Sequence, residues 1–336
     1  MLKCRILFFV ISAVLASSSP EVASANGSTW RLDQSGQWET VSAEGKDKFL
    51  VAAAEIKKLV NTRQTKAARK AFDELKKDFP EIAGPDLDLF IKAEMFYCKR
   101  KLYKTIKTYD KLLNEHPNSK FREAALDRQF TIASAFLGGQ TKKLLGLFTM
   151  KRYAEGVKIM EKITERTGID SPMGSDAAIA VARNYQQRGK YNDAYLKWWE
   201  ISLQYAAGPI GKEALLGMAQ CKRAFYNDYP EQEQPYFDAS GLRTAKSCYE
   251  KFKLLYPQDA QEMGVDEILE EINEQLARKQ YTIGSYYQRM GNKQAANLYY
   301  DMVVSDWPDT NAAEMARQTL AYNKININSE PTTNEK

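Results

Sequence analysis

The chain has 336 residues, with 48 Lys and Arg against 43 Asp and Glu, a single histidine and four cysteines. The net charge of +5 is interspersed along the sequence rather than gathered in basic runs, which excludes a nucleic-acid-binding stripe. One histidine, His116 beside Pro117, excludes a histidine cluster for a metal, and so few cysteines over this length exclude a disulfide framework. There is no glycine-rich phosphate loop, no G-x-S-x-G elbow and no C-x-x-C pair, so neither catalysis nor a cofactor is expected.

Residues 1–25 have the form of an export signal: Lys3 and Arg5 precede the apolar run Ile6 to Ala16, and Ala23-Ser24-Ala25 offers a small-residue cleavage site before Asn26. The run is too short for a membrane span of about 20 residues, and no later segment is long and uncharged enough to be one. An exported, soluble mature chain is expected. In residues 26–46 the stretch TWRLDQSGQWETV alternates large and polar residues around Ser35-Gly36, which predicts a short hairpin or an extended arm. Trp30 and Trp38 there either cover the end of the first helix pair or meet a partner or glycan.

Helical periodicity begins near Asp47 and continues to Tyr322. The best-marked part is Tyr281 to Pro308, where Gly284, Tyr287, Gly291, Ala296, Tyr300 and Pro308 have the spacing of a tetratricopeptide repeat, a 34-residue pair of antiparallel helices. Small Gly284 and Ala296 let two backbones approach, Tyr287 and Tyr300 fill the flanks, and Pro308 stops the second helix. The same pattern recurs at Ala68, Phe72, Leu75, Pro80; Thr105, Tyr109, Leu112, Pro117; Gly156, Met160, Ile163, Gly168; Ala194, Trp198, Ile201, Ala206; and Ala245, Tyr249, Phe252, Pro257. One pair cannot bury its own apolar face, so the six are read as an all-α, right-handed solenoid over residues 47–322.

Two stretches break the period. The apolar insertion at about 138–152, GGQTKKLLGLFTM with a basic start, offers Leu144, Leu145, Leu147 and Phe148 either as a partner-binding loop or as apolar groups folded back on the solenoid. The second, YNDYPEQEQPYFDAS at 226–240, lengthens the turn of the fifth repeat. The helix from Val265 to Met290 is expected to be unusually long, and residues 323–336 to form a disordered polar tail. With Cys4 in the signal, Cys98, Cys221 and Cys248 remain; Cys221 and Cys248 fall on the two helices of one repeat, so pairing and burial as free thiols are both open.

The segment EEINEQLARKQYTIGSYYQRMGNKQAANLYYDMVVSDWPDTNAA, residues 270–313, resembles the C-terminal region of the BamD/YfiO-type outer-membrane assembly lipoproteins. In that family a long helix ending in LAxxEYxxAxYYxxRG precedes a helix ending in YPDT, and Leu276, Ala277, Tyr281, Tyr286, Tyr287, Gly291, Pro308, Asp309 and Thr310 occupy those landmarks without a gap. FDELKKDFP and YDKLLNEHPNSKFREAAL in residues 47–130 are more loosely similar. Residues 138–210 hold more repeat than the family usually has, so the chain looks like an elongated relative. Members carry a lipid on a cysteine just after the signal; here residues 17–19 are serines and no cysteine follows before Cys98, so membrane association is expected to be indirect.

The resemblance implies a non-enzymatic periplasmic scaffold at the inner face of the outer membrane. Such a scaffold binds the POTRA domains of a barrel assembly protein and unfolded outer-membrane proteins during β-barrel assembly. The alternative is a periplasmic repeat adaptor of envelope constriction or polysaccharide export. Because the first helices of such repeats line a concave groove, helix geometry nominates Glu94 and Tyr97, Arg183, Gln186 and Gln187, and Gln288 and Arg289 as protein-binding positions.

Overall fold

In the computed structural model, residues 29–32, 38–41, 43–144 and 148–329 are described. The export signal with Cys4, the Ser35-Gly36 turn, Leu145, Leu147 and residues 330–336 lie outside them. The backbone divides into two compact units, one ending at Thr105 and one beginning at Ile106.

The first unit opens with an antiparallel ribbon, β1 (Thr29–Leu32) on β2 (Trp38–Val41), in which Leu32 is the register partner of Trp38. Then come α1 (Ala43–Asn61), α2 (Thr65–Asp78), a 3₁₀ turn at Pro80–Ile82, α3 (Pro85–Cys98) and the start of α4 (Leu102–Glu115), the helix in which the boundary falls. Ile56 and Val60, Ala68, Phe72 and Leu75, and Met95 and Cys98 make one apolar cluster. Phe49 meets Phe79 edge-on at 5.4 Å, and the Thr65 hydroxyl lies 3.2 Å from the Cys98 sulfur.

The second unit continues with α5 (Arg122–Leu137), α6 (Tyr153–Thr167), α7 (Pro172–Gln187), α8 (Tyr191–Gln204), α9 (Gly208–Asn227), α10 (Ser240–Leu255), a short α11 (Pro257–Glu262), α12 (Val265–Arg289), α13 (Lys293–Asp306) and α14 (Asn311–Ser329). Odd and even helices from α1 to α10 alternate as first and second members of a repeat, and α12 and α13 make the sixth. The fold is an all-α tetratricopeptide-repeat solenoid. The small residue of every second helix is buried, as are Phe72, Tyr109, Met160, Trp198, Tyr249 and Tyr300 four positions on.

The turn between first and second helix has its own repeat signature. Five residues before the small residue stand Arg63, Arg100, Gly189 and Gly291, with φ of 63°, 56°, 68° and 80°. That left-handed residue reverses the chain at each turn; two of the four are glycine, which adopts it without strain, and two are arginine, which does not.

One expectation is corrected, and the two insertions take definite form. The apolar insertion is a ribbon: β3 (Thr141–Leu144) pairs antiparallel with β4 (Phe148–Lys151), Leu144 opposite Phe148, and the Arg152 amide closes the base on the Gln140 carbonyl at 3.2 Å. The tail is helical through Ser329 because it has something to pack on: Asn323 is buried and its amide donates to the Asn297 carboxamide oxygen at 2.7 Å, while two amides at the head of α14, Asn311 and Ala312, donate to Glu274 of α12. The second insertion lengthens the turn between α9 and α10 as a strap. Tyr226 donates its buried hydroxyl to the Gln234 carbonyl at 2.8 Å, Tyr229 stacks on Phe237 at 3.8 Å, and Lys279 of α12 donates to the Pro235 and Phe237 carbonyls.

Cys98, Cys221 and Cys248 are free and buried, so Cys221 and Cys248 do not pair. Burial pushes the Cys221 thiol up to about 12 and raises Cys248 as well, which keeps both protonated and unreactive. Among the described residues no helix is long and apolar enough to cross a membrane, and no group of three His, Cys, Asp or Glu side chains is placed to hold a metal.

Candidate functional site

In the second unit α7 and α9 are both first helices of a repeat, and their exposed sides face each other across a groove of about 870 Å³. Arg183, Gln186 and Gln187 line one wall; Glu213, Gln220, Arg223 and Asn227 line the other. The floor is aromatic, formed by Trp198 of α8 and Tyr249 of α10, both buried. The groove stays open because α9 presents Gly217 and Ala224 toward it. A Cβ at 217 would lie 2.6 Å from the Trp198 indole, so a bare backbone is needed there.

Floor and walls are linked by hydrogen bonds. Trp198 Nε1 donates to Gln186 Oε1 at 3.0 Å, and Gln186 Nε2 donates to Gln220 Oε1 at 3.0 Å. Arg183 reaches across to Glu213 at 2.6 Å, and Arg223 pairs with Glu271 of α12. Burial raises the Tyr249 hydroxyl, with Arg223 partly offsetting it, so this phenol stays protonated. Arg183 and Glu213 also line a second cavity of about 390 Å³, with Phe130 of α5, Asp176, Ile179 and Ala180 of α7, and Pro209 and Ile210 of α9. The two cavities are therefore one run across three successive first helices, with the Arg183–Glu213 pair in its middle.

The nominated positions separate accordingly. Arg183, Gln186 and Gln187 come together in the groove. Gln288 is half-buried, accepting from the Tyr300 hydroxyl at 2.8 Å, and Arg289 is exposed beside it; neither lines these cavities. Glu94 is 3% exposed, which removes it from any surface, and Tyr97 is half-buried against the cluster of the first unit. Leu144 and Phe148 are paired in the β3–β4 ribbon. Sequence reasoning missed the whole α9 wall, because counting back from Ala245 runs into the 226–240 insertion instead of a helix. Gly217, the small residue that admits Trp198, is the signal from which the wall is found.

Six helix pairs and a groove walled by first helices define a repeat scaffold of non-catalytic type. The chain belongs to the YfiO family, described as outer membrane lipoprotein, whose pattern matches residues 149–336. No curated protein matches. Among solved structures the chain is similar to PilW, a widely conserved type IV pilus biogenesis factor, at 15% identity over 82% of this chain and 99% of that one, with a TM-score of 0.28. It is also similar to a human IFIT1 dimer with m7Gppp-AAAA, at 12% identity over 78% of this chain and 70% of that one, with a TM-score of 0.26. At such scores neither likeness bears on function.

Proposed function

We propose that the protein is a non-enzymatic scaffold of the cell envelope, exported to the periplasm and acting at the inner face of the outer membrane. There it binds a POTRA-containing barrel assembly protein and unfolded outer-membrane proteins on their way to insertion. Family membership supports the setting, and the observation that carries the binding role is the groove over α5, α7 and α9, open, firmly floored and lined by side chains suited to hydrogen bonding rather than to bond-making. The β3–β4 ribbon with Leu144 and Phe148, through the intervening Leu145 and Leu147, and the Gln288–Arg289 pair on α12 are proposed as further contact points.

Affinity capture with mild crosslinking from native envelopes, read by mass spectrometry, tests this. Recovery of a POTRA-containing protein is the expected result. Recovery of only division or polysaccharide-export proteins would replace barrel assembly by the adaptor role and leave the scaffold standing.

A further inference from the structure

We propose that the strap at 226–240 builds a second binding site against α12, and that this site takes a neutral saccharide. The cavity there has a volume of about 410 Å³ and shares only Asn227 with the groove over α7 and α9. That volume falls within the roughly 300–1,000 Å³ of small-molecule pockets. The site goes beyond the scaffold role proposed above and does not depend on it.

One wall is a stripe of α12. Glu271, Glu274, Gln275 and Arg278 stand at i, i+3, i+4 and i+7 and so share a side of the helix. The other wall is the strap, which is fixed from within. Buried Tyr226 donates to the Gln234 carbonyl at 2.8 Å, and Gln234, 8% exposed, donates from Nε2 to the Tyr229 carbonyl at 3.1 Å. Lys279 of α12 ties the far side of the strap through the Pro235 and Phe237 carbonyls. Both walls are in place before anything binds, so little has to be ordered on binding.

The charges that line the cavity are balanced. Arg278 pairs with Glu231 at 3.2 Å, and Arg223, from outside the lining, pairs with Glu271. Glu274 accepts from the Asn311 and Ala312 amides at the head of α14, the positive end of that helix. Lys279, beside the lining, has Asp238 near it. The lining therefore has no surplus charge to draw an ion, and an ionic ligand would have to displace a partner already in place.

What remains is hydrogen-bonding capacity, most of it accepting. A carboxylate has about four lone-pair sites, and Glu231 and Glu271 each meet one arginine, so both have acceptor sites to spare. Gln275 donates to Asn227 Oδ1 at 2.9 Å, while its own Oε1 is buried without a donor, a deficit that a hydroxyl reaching the inner wall would remove. On the donor side, the amide nitrogen of exposed Asn227 has no partner among the described residues. A hydroxyl donates one hydrogen bond and accepts others without bringing charge, and a sugar ring presents several side by side. Half-buried Tyr229, stacked on Phe237 at 3.8 Å, adds an aromatic surface for the apolar face of such a ring. A basic side chain also offers donors, but it would meet Arg278 and Arg223 on the two carboxylates it needs.

The test uses the full chain and three neutral disaccharides, maltose, cellobiose and N,N′-diacetylchitobiose, titrated by isothermal calorimetry with saturation-transfer NMR as a second readout. At least one is expected to bind with a dissociation constant below about 1 mM. Raising salt from about 50 to about 200 mM is expected to leave its affinity within about twofold, since no charge is being paired. O-methylation of that sugar, which removes its donors, is expected to weaken binding by about tenfold or more. Asn227→Ala is expected to weaken it by about fivefold or more, while Asp228→Ala, next in the chain but lining the groove instead, stays within about twofold. Binding of none of the three up to about 10 mM, equal binding of the O-methylated sugar, unchanged affinity in Asn227→Ala, or tighter binding of N-acetyl-arginine amide than of any of the sugars would each overturn the proposal. The methylated comparison needs no protein variant, so a folding defect cannot mimic it. Capture of envelope partners is read separately, and its failure sinks the scaffold role while leaving the saccharide site untouched.

Discussion

Arg183 and Gln186 in α7 stand eleven and eight residues before the small Ala194, and Glu94 and Tyr97 in α3 stand at the same distances before Thr105. In α7 both residues line an open groove; in α3 the first is buried and the second half-buried. The offset therefore settles which side of the helix a residue is on and not whether that side is covered. Every residue from Ala93 to Cys98 is buried or half-buried, as in a helix surrounded on more than one side, whereas α7 ends in the exposed Gln187 and faces a wall with Gly217 and Ala224 in it.

The sharpest way to break this contrast is to attack the groove floor and the buried acid together. Trp198→Ala empties a 2% exposed site and removes the donor that orients Gln186, with an expected cost of about 3–5 kcal/mol in urea unfolding. Glu94→Lys reverses a charge at a 3% exposed position and is expected to cost about 3 kcal/mol or more. If Glu94→Lys melted like the wild type, α3 would be as open as α7 and the contrast would vanish.

A second same-offset pair extends the lesson to the other face. Five residues after the small residue stand Asp73 in α2, exposed, and Asp110 in α4, whose side chain is 20% exposed and accepts from Lys162, Arg166 and Gln129. Burial alone would raise the Asp110 carboxyl, but the hydrogen bonds from Lys162, Arg166 and Gln129, with the Arg166 charge, outweigh it and hold it below the usual 3.8. A carboxyl lowered by folding stabilises fully above its unfolded pKa and loses that contribution as pH falls through the folded one. Asp110→Asn is thus expected to cost about 1.5–3 kcal/mol near neutral pH. The cost should shrink only below about pH 3.8, while Asp73→Asn stays within about 0.5 kcal/mol. Equal costs for the two, at neutral pH and in acid alike, would show that the Asp110 network adds nothing.

The turns behave differently, because there the offset does fix the outcome. Gly189 and Arg100 share a left-handed backbone five residues before the small residue, and a Cβ at Gly189 would meet nothing within 4 Å. Gly189→Ala therefore isolates the conformational cost, about 1 kcal/mol of lost stability, while Arg100→Gly is expected to be neutral or to gain a few tenths. Thermal melts of the two, compared directly, check both signs.

These cases mark what was legible in the sequence and why. The buried stripe of the second helices could be read because small, aromatic and aliphatic residues recur at fixed spacing under one steric rule, and Arg183, Gln186 and Gln187 followed from helix geometry. Glu94 was misread because burial of a first-helix face depends on residues that are distant in sequence. Glu213 and Gln220 were missed because the strap at 226–240 breaks the count from Ala245. The last turns of α14 were misread because composition favoured a tail, while the Asn323–Asn297 bond that holds them joins residues on two helices; the strands within the insertion at 138–152 were left open because its composition does not fix the pairing of Leu144 with Phe148.

The smallest expected change in stability carries the most functional weight. Arg183 is 58% exposed on its side chain and Gln187 is exposed, so Arg183→Glu with Gln187→Glu is expected to shift unfolding by no more than about 0.5–1 kcal/mol. The same two changes place new acids beside Glu213 in the middle of the groove and remove the carboxamide at position 187, so any partner seated there would meet net negative charge. Capture of envelope partners should then fall at least about fivefold in quantitative mass spectrometry. A parallel reversal at the exposed Arg289, itself proposed as a contact point but outside the two cavities, asks which of the two positions carries the binding. Loss specific to Arg183 and Gln187 would tie partner binding to the α7–α9 groove, and equal loss at Arg289 would move it toward α12.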